Sequence, residues 1–462
     1  MSTIAEYLDS LKGKSVVVIG MGVSNTPLIR MLLRANVNVT VCDKSTRDRV
    51  QAQADELESL GAKLELGADY LANIHKADLV FRTPGLSPNS PQLKKAVECG
   101  AEVTSEMELF FKLCPCKIIG VTGSDGKTTT TTLISEFLKE AGYNVYVGGN
   151  IGKPLLPDVA DMTPEDMVVV ELSSFQLMSM RQSPNVAVFT NLSPNHLDYH
   201  HTMEEYTNAK LNIFLHQHEG DRAVFNYDND ITRDLSQRAP AGMMMFSRKH
   251  SLADRGVYLR DNTICMTNDT GSREVLAVED IHIPGVHNIE NYMAAIAAVD
   301  GLVPDQCVRA VALRFTGVEH RIELVRELNG VRYFNDSIGT SPTRTMACLD
   351  SFNQKLILIA GGYDKGVPFT QLGVEMCKKV KTLVLCGTTA PAIRKAVEEA
   401  PEYASCGIQL VETDNLKAAV EAARDAASAG DVVVLSPACA AFDQFKNFME
   451  RGRVFKEFVN AL

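Results

Sequence analysis

The run Gly120-Val121-Thr122-Gly123-Ser124-Asp125-Gly126-Lys127-Thr128 gathers glycines, a cation and a hydroxyl into one short stretch. Glycines carry no Cβ, so the backbone can turn its N–H groups inward around phosphate oxygens. A helix opening at that point adds a favourable partial positive charge. Lys127 can reach β- and γ-phosphates, and the Thr128 hydroxyl is placed to ligate Mg²⁺. The strict phosphate-loop spacing is not met, because Val121 stands where its first glycine belongs and Gly120 lies one residue further out. The competing reading is a plain glycine-rich turn.

Two polar groups follow. Glu171 closes the run Met167–Val170, and His196 and Asp198 lie in Asn191-Leu192-Ser193-Pro194-Asn195-His196-Leu197-Asp198. A carboxylate and an imidazole at neighbouring strand ends can share a Mg²⁺ in an otherwise oxygen-rich shell. His196, His200 and His201 also suggest zinc, without the cysteines or the helical HxxxH context that would support it. A solvated, histidine-rich loop is the third reading. Lys210, in Tyr206-Thr207-Asn208-Ala209-Lys210-Leu211, reads by pattern as a surface helix lysine. Near the N-terminus, Gly20-Met21-Gly22 is followed by Asp43, as in a dinucleotide fingerprint whose acid holds a ribose hydroxyl. Its third glycine is replaced by Asn25, so a nucleotide diphosphate other than NAD, or simple βαβ packing, fits equally well. Cys114 and Cys116 could bind metal, but no second pair stands at zinc spacing.

The elements that must position these residues alternate along the chain. Short β-branched runs interleave with helical patterns, the signature of α/β architecture with parallel sheets. Ser15–Ile19, Asn38–Cys42, Lys117–Val121, Met167–Glu171 and Val186–Asn191 read as strands, with helices at Thr26–Ala35 and Lys127–Ala141. Glu171 then sits at the carboxyl edge of its sheet, where doubly wound folds bind ligands. Between Asp221 and Glu279 the pattern is irregular, with hairpins expected around Asn226–Asn229 and Asp261–Thr270, and a helix follows over Asn288–Gly301. Further strands are expected at Val331–Asn335, Leu356–Ala360, Thr382–Cys386 and Asp431–Ser436. The expected fold is α/β in three domains: a Rossmann-like domain over 1–105, a central P-loop ATPase-type parallel-sheet domain over 106–317, and a Rossmann-like C-terminal domain over 318–462.

Composition narrows the function. The chain has 462 residues and a formal charge of −11, which argues against wrapping nucleic acid or coating an anionic membrane. Phosphorylated ligands must then be held by local N–H groups, a metal or a few Lys and Arg. The longest apolar runs, such as Val16–Ile19, are too short to cross a bilayer, and Met1–Lys14 lacks a signal-peptide core. The 11 cysteines show no CxxC pair, which points to reduced thiols in a cytosol.

Read together, the segments resemble the ATP-dependent Mur ligase family of cell-wall synthesis over essentially the full length. Gly120–Thr128 matches its GxTGxxGK[ST] loop. Glu171 with Ser173-Ser174, then Asn191 to His196, then Lys210, fall in the family's order. Gly285-Val286-His287-Asn288-Ile289-Glu290-Asn291 matches its G-x-H-N-x-x-N segment, and Val318-Glu319-His320-Arg321 and Asn335-Asp336-Ser337 match its later nucleotide contacts. The ending, Ser436-Pro437-Ala438-Cys439-Ala440-Ala441-Phe442-Asp443-Gln444-Phe445-Lys446-Asn447-Phe448, is most similar to the members that add D-glutamate. Ile338 stands where some members carry Lys, Ala441 where Ser is often found, and Asp125 where Asn is usual. A carboxylate at that last position needs Mg²⁺ or an outward orientation.

The resemblance implies activation of a UDP-N-acetylmuramoyl-L-alanine carboxylate by ATP as an acyl phosphate, which the D-glutamate amine then attacks. It implies that Gly123, Ser124, Asp125, Gly126, Lys127, Thr128, Thr129, Asn291, Arg321 and Asp336 contact ATP. Thr128 and Glu171 would hold one Mg²⁺, and His196 with a CO₂-derived carbamate on Lys210 would help hold a second. Lys127, His196 and Lys210 form the implied catalytic set. Gly22, Val23, Ser24, Asp43, Asn150 and His196 would meet the UDP-substrate, and Thr340, Lys365, Phe442 and Phe448 the D-glutamate. Small-molecule substrates, a monomer and a cytoplasmic location are implied, with no nucleic acid and no membrane as partners. Three other readings compete. A folylpolyglutamate synthase-like ligase has no need of Gly20-Met21-Gly22. An NAD-dependent oxidoreductase leaves the Lys127 loop without a purpose, and a nucleotide switch leaves Glu171, His196 and Lys210 idle.

Overall fold

In the computed structural model, residues 3–194, 197–252, 255–269, 271–364 and 366–462 are described. The expectations placed on His196, on Lys365 and on the end of the hairpin at Thr270 fall outside them. The first sheet starts from β1 (Ser15–Ile19), whose Val16–Ile19 are all buried. With β2 (Asn38–Asp43), β3 (Lys63–Leu66), β4 (Leu79–Phe81) and β5 (Glu102–Thr104) it forms a parallel sheet in the order β3-β2-β1-β4-β5. The order reverses between β1 and β4, so the loops after those two strands share the ligand-binding edge.

The second sheet is built on β6 (Lys117–Thr122), β7 (Val145–Gly149), β8 (Met167–Glu171), β9 (Val186–Phe189), β10 (Arg222–Asn226) and β11 (Gly242–Ser247). It is completed by β12 (Gly256–Arg260), β13 (Thr263–Asn268) and β14 (Gly271–Ala277). The order is β14-β13-β12-β11-β10-β9-β6-β8-β7, parallel except for antiparallel β13 and β14 at one edge. β6 lies between β8 and β9, which places the Gly123–Lys127 turn where the order reverses. Buried Val168, Val170 and Ala187 are continuous with Phe110, Phe81 and Val16 in one apolar cluster, so the first two sheets pack together. They belong to one unit, Met1–Ala277 with Glu290–Val311.

The other unit is Val278–Ile289 with Ala312–Leu462. Its sheet runs β15 (Glu323–Leu328), β16 (Val331–Asn335), β20 (Val432–Leu435), β17 (Leu356–Ala360), β18 (Val380–Leu385), β19 (Gln409–Glu412). Alternation along β17 feeds two cores: Leu356, Leu358 and Ala360 face one, Ile357 and Ile359 the other.

Two differences from the sequence reading have local causes. Asn226–Asn229 is not a hairpin: Asn229 caps the helix Asp230–Ser236 by accepting from the Thr232 N–H, and β11 runs parallel to β10. Asparagine serves turns and helix caps alike, and here the cap prevails. The second is β15, an antiparallel edge strand joined to β16 through Asn329 and Gly330, with φ of +52° and +76°. Both lie in the left-handed region that a two-residue hairpin demands. At the start of the hairpin expected around Asp261–Thr270, Asp261 and Asn262 form the turn that joins β12 to β13, with φ of +46° and +60°.

Candidate active site

The glycine-rich turn is held by the segment that follows β9. The Ser124 N–H donates to the Asn191 carbonyl (2.9 Å) and the Asp125 N–H to Asn191 Oδ1 (3.0 Å), while Thr190 Oγ1 donates to the Asp125 carbonyl (2.6 Å). Gly123 lies at φ +148°, and a Cβ there would stand 2.0 Å from Thr190 Oγ1. At Gly126, φ +78°, a Cβ would stand 2.3 Å from Asn291 Oδ1. As N-cap of the helix Lys127–Glu140, Gly126 offers no side chain to the first-turn amides, which leaves an anion as their natural partner. Lys127 folds over the turn and donates to the carbonyls of Gly123 (3.0 Å) and Ser124 (2.8 Å). The Asp125 side chain is exposed, the outward orientation a carboxylate beside phosphates requires.

Glu171 is buried at the end of β8 and divides its carboxylate between the first turn of the helix Lys127–Glu140 and the loop after β7. Thr128 Oγ1 donates to Oε2 (2.7 Å) and Asn150 Nδ2 to Oε1 (2.8 Å). This approach depends on Gly149, where a Cβ would stand 2.2 Å from the Glu171 carbonyl. Lys210, on the helix Met203–Leu211, is not the surface lysine its pattern suggests. It is 1% exposed and donates to Thr122 Oγ1 (3.1 Å) and the Gly123 carbonyl (2.9 Å). Burial first, then repulsion from Lys127, pulls its ammonium well below the ordinary lysine range, against Glu171 and Asp125.

The residues framing this site that sequence reasoning leaves unassigned are Thr122, Thr190 and Tyr206, whose hydroxyl meets Ser124 Oγ at 3.2 Å. Nothing local distinguishes them from ordinary strand and helix residues. His200 is buried against Ser174 Oγ (2.9 Å) and stacks on Phe175. Among the described residues no three His, Cys, Asp or Glu side chains stand together as a metal site. A divalent cation at Thr128 and Glu171 would complete its shell with phosphate oxygens and water, as Mg²⁺ ordinarily does. Cys114 and Cys116 are buried, their thiols turned to the carbonyls of Cys116 and Thr163.

Beside Asn150 opens a cavity of about 380 Å³ whose lining includes Val23, Ser24, Pro84, Gly85, Ser173 and Phe175. It joins the ligand edges of the first two sheets. Gly22 and Asp43 do not line it. Asp43 braces the loop from behind, accepting from the N–H groups of Met21 (2.9 Å) and Ser45 (2.8 Å). Burial pushes its carboxyl up, but these N–H groups outweigh burial and hold it below the ordinary range.

In the second unit, Asp336 at the end of β16 is buried and accepts from Ser436 Oγ (2.7 Å). Burial pushes its carboxyl up to about 6, against the pull of Ser436 and Arg321. Thr340 donates its N–H to the Ile338 carbonyl, and the Phe448 carbonyl accepts from Ser337 Oγ (2.8 Å). Phe442 is 63% exposed and meets Tyr363 edge-on. Arg451, buried, donates to the carbonyls of Ser337, Cys439 and Ala440 and so ties these loops together.

Residues 14–105 match the family described as Mur ligase MurD-like, N-terminal domain, residues 121–299 the Mur ligase middle domain, and residues 320–439 the Mur ligase, glutamate ligase domain. A UDP-N-acetylmuramoylalanine--D-glutamate ligase from Acetivibrio thermocellus is 50% identical over 99% of this chain and 98% of its own. The enzyme of that name from Ruminiclostridium cellulolyticum is 47% identical over 99% of both. Among solved structures, a UDP-N-acetylmuramate-alanine ligase from Thermotoga maritima covers 97% of this chain and 99% of its own with a TM-score of 0.55. A pseudomurein peptide ligase type C from Methanothermus fervidus covers 97% and 100% with a TM-score of 0.53. Both are 18% identical and share the fold.

Proposed function

The chain belongs to the Mur ligase family, and on that premise we propose that it joins D-glutamate to UDP-N-acetylmuramoyl-L-alanine at the expense of ATP, in peptidoglycan precursor synthesis. The observation that carries this reading is the identity of 50% along 99% of the chain with a ligase of that activity. Oxide is a poor leaving group, so the alanyl carboxylate must be activated before an amine can displace it. A carboxylate oxygen takes the γ-phosphoryl of ATP and ADP departs. The glutamate amine then attacks the acyl carbon, phosphate leaves with the carbonyl–oxygen bond, and the amine gives up a proton. Every reactant is anionic, so the site's work is positioning and charge compensation.

The chain's own groups suit that work. Lys127 and the Gly123–Thr129 amides hold the transferring phosphoryl, and Asn291 buttresses the same turn. Thr128 and Glu171 supply oxygens for Mg²⁺, which neutralises phosphate charge when bound. Val23, Ser24 and Asn150 face the sugar nucleotide, with Gly22 and Asp43 shaping the loop behind them. Lys210, buried and with its ammonium disfavoured by burial and by Lys127, is suited to take up CO₂ as a carbamate and, with His196, would help hold a second Mg²⁺. Arg321 and Asp336 contribute the C-terminal share of ATP binding, and Thr340, Lys365, Phe442 and Phe448 receive D-glutamate. Domains over 1–105, 106–317 and 318–462 divide these tasks. All assigned groups lie on one chain, so a monomer suffices, and ATP and a UDP-linked precursor meet in the cytoplasm.

The decisive assay is phosphate release with ATP, Mg²⁺ and UDP-N-acetylmuramoyl-L-alanine, offering D-glutamate beside L-glutamate, L-lysine and L-alanine. Release is expected only with the sugar-peptide and D-glutamate together. Release with another amino acid would move the specificity, and none with any would overturn the reading.

A further inference from the structure

Arg82 follows β4 and is 1% exposed, among the largest fully buried side chains of the protein. A guanidinium so far from water must place all its donors on protein acceptors, and its planar fork fixes where those acceptors lie. Here they come from two domains. Nη1 donates to the carbonyls of Thr83 (3.3 Å), Pro84 (3.3 Å) and Leu86 (3.1 Å), in the turn after β4. Nη2 donates to the Phe175 carbonyl (2.9 Å) and to Ser179 Oγ (2.7 Å), and Nε to the same hydroxyl (3.1 Å), all in the segment after β8. Ser179 passes the contact on, donating to Glu108 Oε2 (3.2 Å), which also accepts from Ser105 Oγ (2.9 Å).

Both clamped turns end in the cavity. Pro84 and Gly85 form one part of its wall, Ser173, Phe175 and Gln176 another. Among the described residues, Arg82 makes no hydrogen bond to the turn Gly123–Lys127. We propose that Arg82 is a positioning residue for the sugar-nucleotide substrate: one buried guanidinium sets the spacing of two cavity walls and leaves the ATP turn alone. The proposal rests on the reading of this cavity as the UDP-substrate site. Its chemistry is that of rigid presentation, where small misplacements of a wall carry large kinetic costs.

The test is initial-rate phosphate release by Arg82→Lys and Ser179→Ala beside the parent enzyme, varying each substrate in turn. Lysine keeps the charge but cannot span both turns, and alanine at 179 removes the acceptor shared by Nε and Nη2. Arg82→Lys is expected to raise KM for UDP-N-acetylmuramoyl-L-alanine about tenfold, with KM for ATP and D-glutamate within about twofold. Ser179→Ala is expected to shift the same constant in the same direction by a smaller factor. A folded Arg82→Lys with unchanged sugar-nucleotide KM, or with all three constants raised alike, overturns the proposal. If Arg82→Lys does not fold, Ser179→Ala decides by the same criterion. A parent enzyme that releases no phosphate with this sugar-peptide overturns the assigned substrate itself, a failure distinct from a normal variant of an active parent.

Discussion

At Lys210 an ammonium is confined 2.9 Å from the Gly123 carbonyl and 3.1 Å from Thr122 Oγ1, with no carboxylate among its hydrogen-bond partners in the described residues. A buried cation next to Lys127 is electrostatically costly, and conversion to a carbamate would turn it into an anion suited to hold a metal. Lys210→Ala should therefore lower phosphate release by at least about 100-fold, the scale of losing one well-placed electrostatic group. Acetate or another short carboxylic acid should restore part of it by occupying the space left by the side chain. Full activity in the variant would sink the carbamate reading. Glu171 illustrates a second residue-scale economy: one carboxylate holds both Thr128 and Asn150, so the glycine-rich turn and the loop after β7 share an anchor.

The strand–turn–helix around Gly123–Thr128 works because its glycines occupy backbone that other residues resist. Gly123→Ala would combine left-handed strain with a Cβ 2.0 Å from Thr190 Oγ1 and 3.0 Å from the Asn191 carbonyl. A loss of roughly 2 kcal/mol of stability is expected in urea unfolding, from strain of this kind. ATP with Mg²⁺ should also lose its ability to raise the melting temperature, since binding stabilises only through the folded turn. Retained ATP protection in the variant would show that the turn is not the phosphate cradle. Elements were legible in the sequence wherever a local pattern suffices. Val16–Ile19 and Leu356–Ala360 are continuous apolar runs that could only be buried strands, and both are. Asn226–Asn229 was ambiguous because the same residue type starts turns and caps helices. The β15–β16 hairpin carried its signal in Asn329-Gly330, but β15 itself has a mixed, half-buried surface that no alternation marks.

Across the whole molecule, buried carboxyls make stability depend on pH. Glu106, at the start of the helix Glu106–Leu113, is buried, and burial pushes its carboxyl up to about 7 despite the Leu156 N–H. In the unfolded chain a glutamate ionises near 4.3, so between about 4.3 and 7 the native state holds a proton that the unfolded state has lost. Stability must therefore fall as pH rises through this window, by up to about 4 kcal/mol from this one group. Urea unfolding at pH 5 and pH 8 should show the fall, and Glu106→Gln should flatten it; an equally steep fall in the variant would assign it to other groups, Asp336 first. The sequence by itself determined the family, the α/β class and the glycine-rich strand–turn–helix. Glycine placement, strand patterning and motif order are properties of neighbouring residues and survive in one dimension. Only the tertiary structure decided that Lys210 is buried under Thr122, 88 residues away, and that Glu171 joins residues 43 and 21 positions distant. It alone decided that Arg82 spans 97 residues to Ser179. A side chain's surroundings, and with them its charge state and role, come from contacts between segments whose separation along the chain leaves no periodic trace.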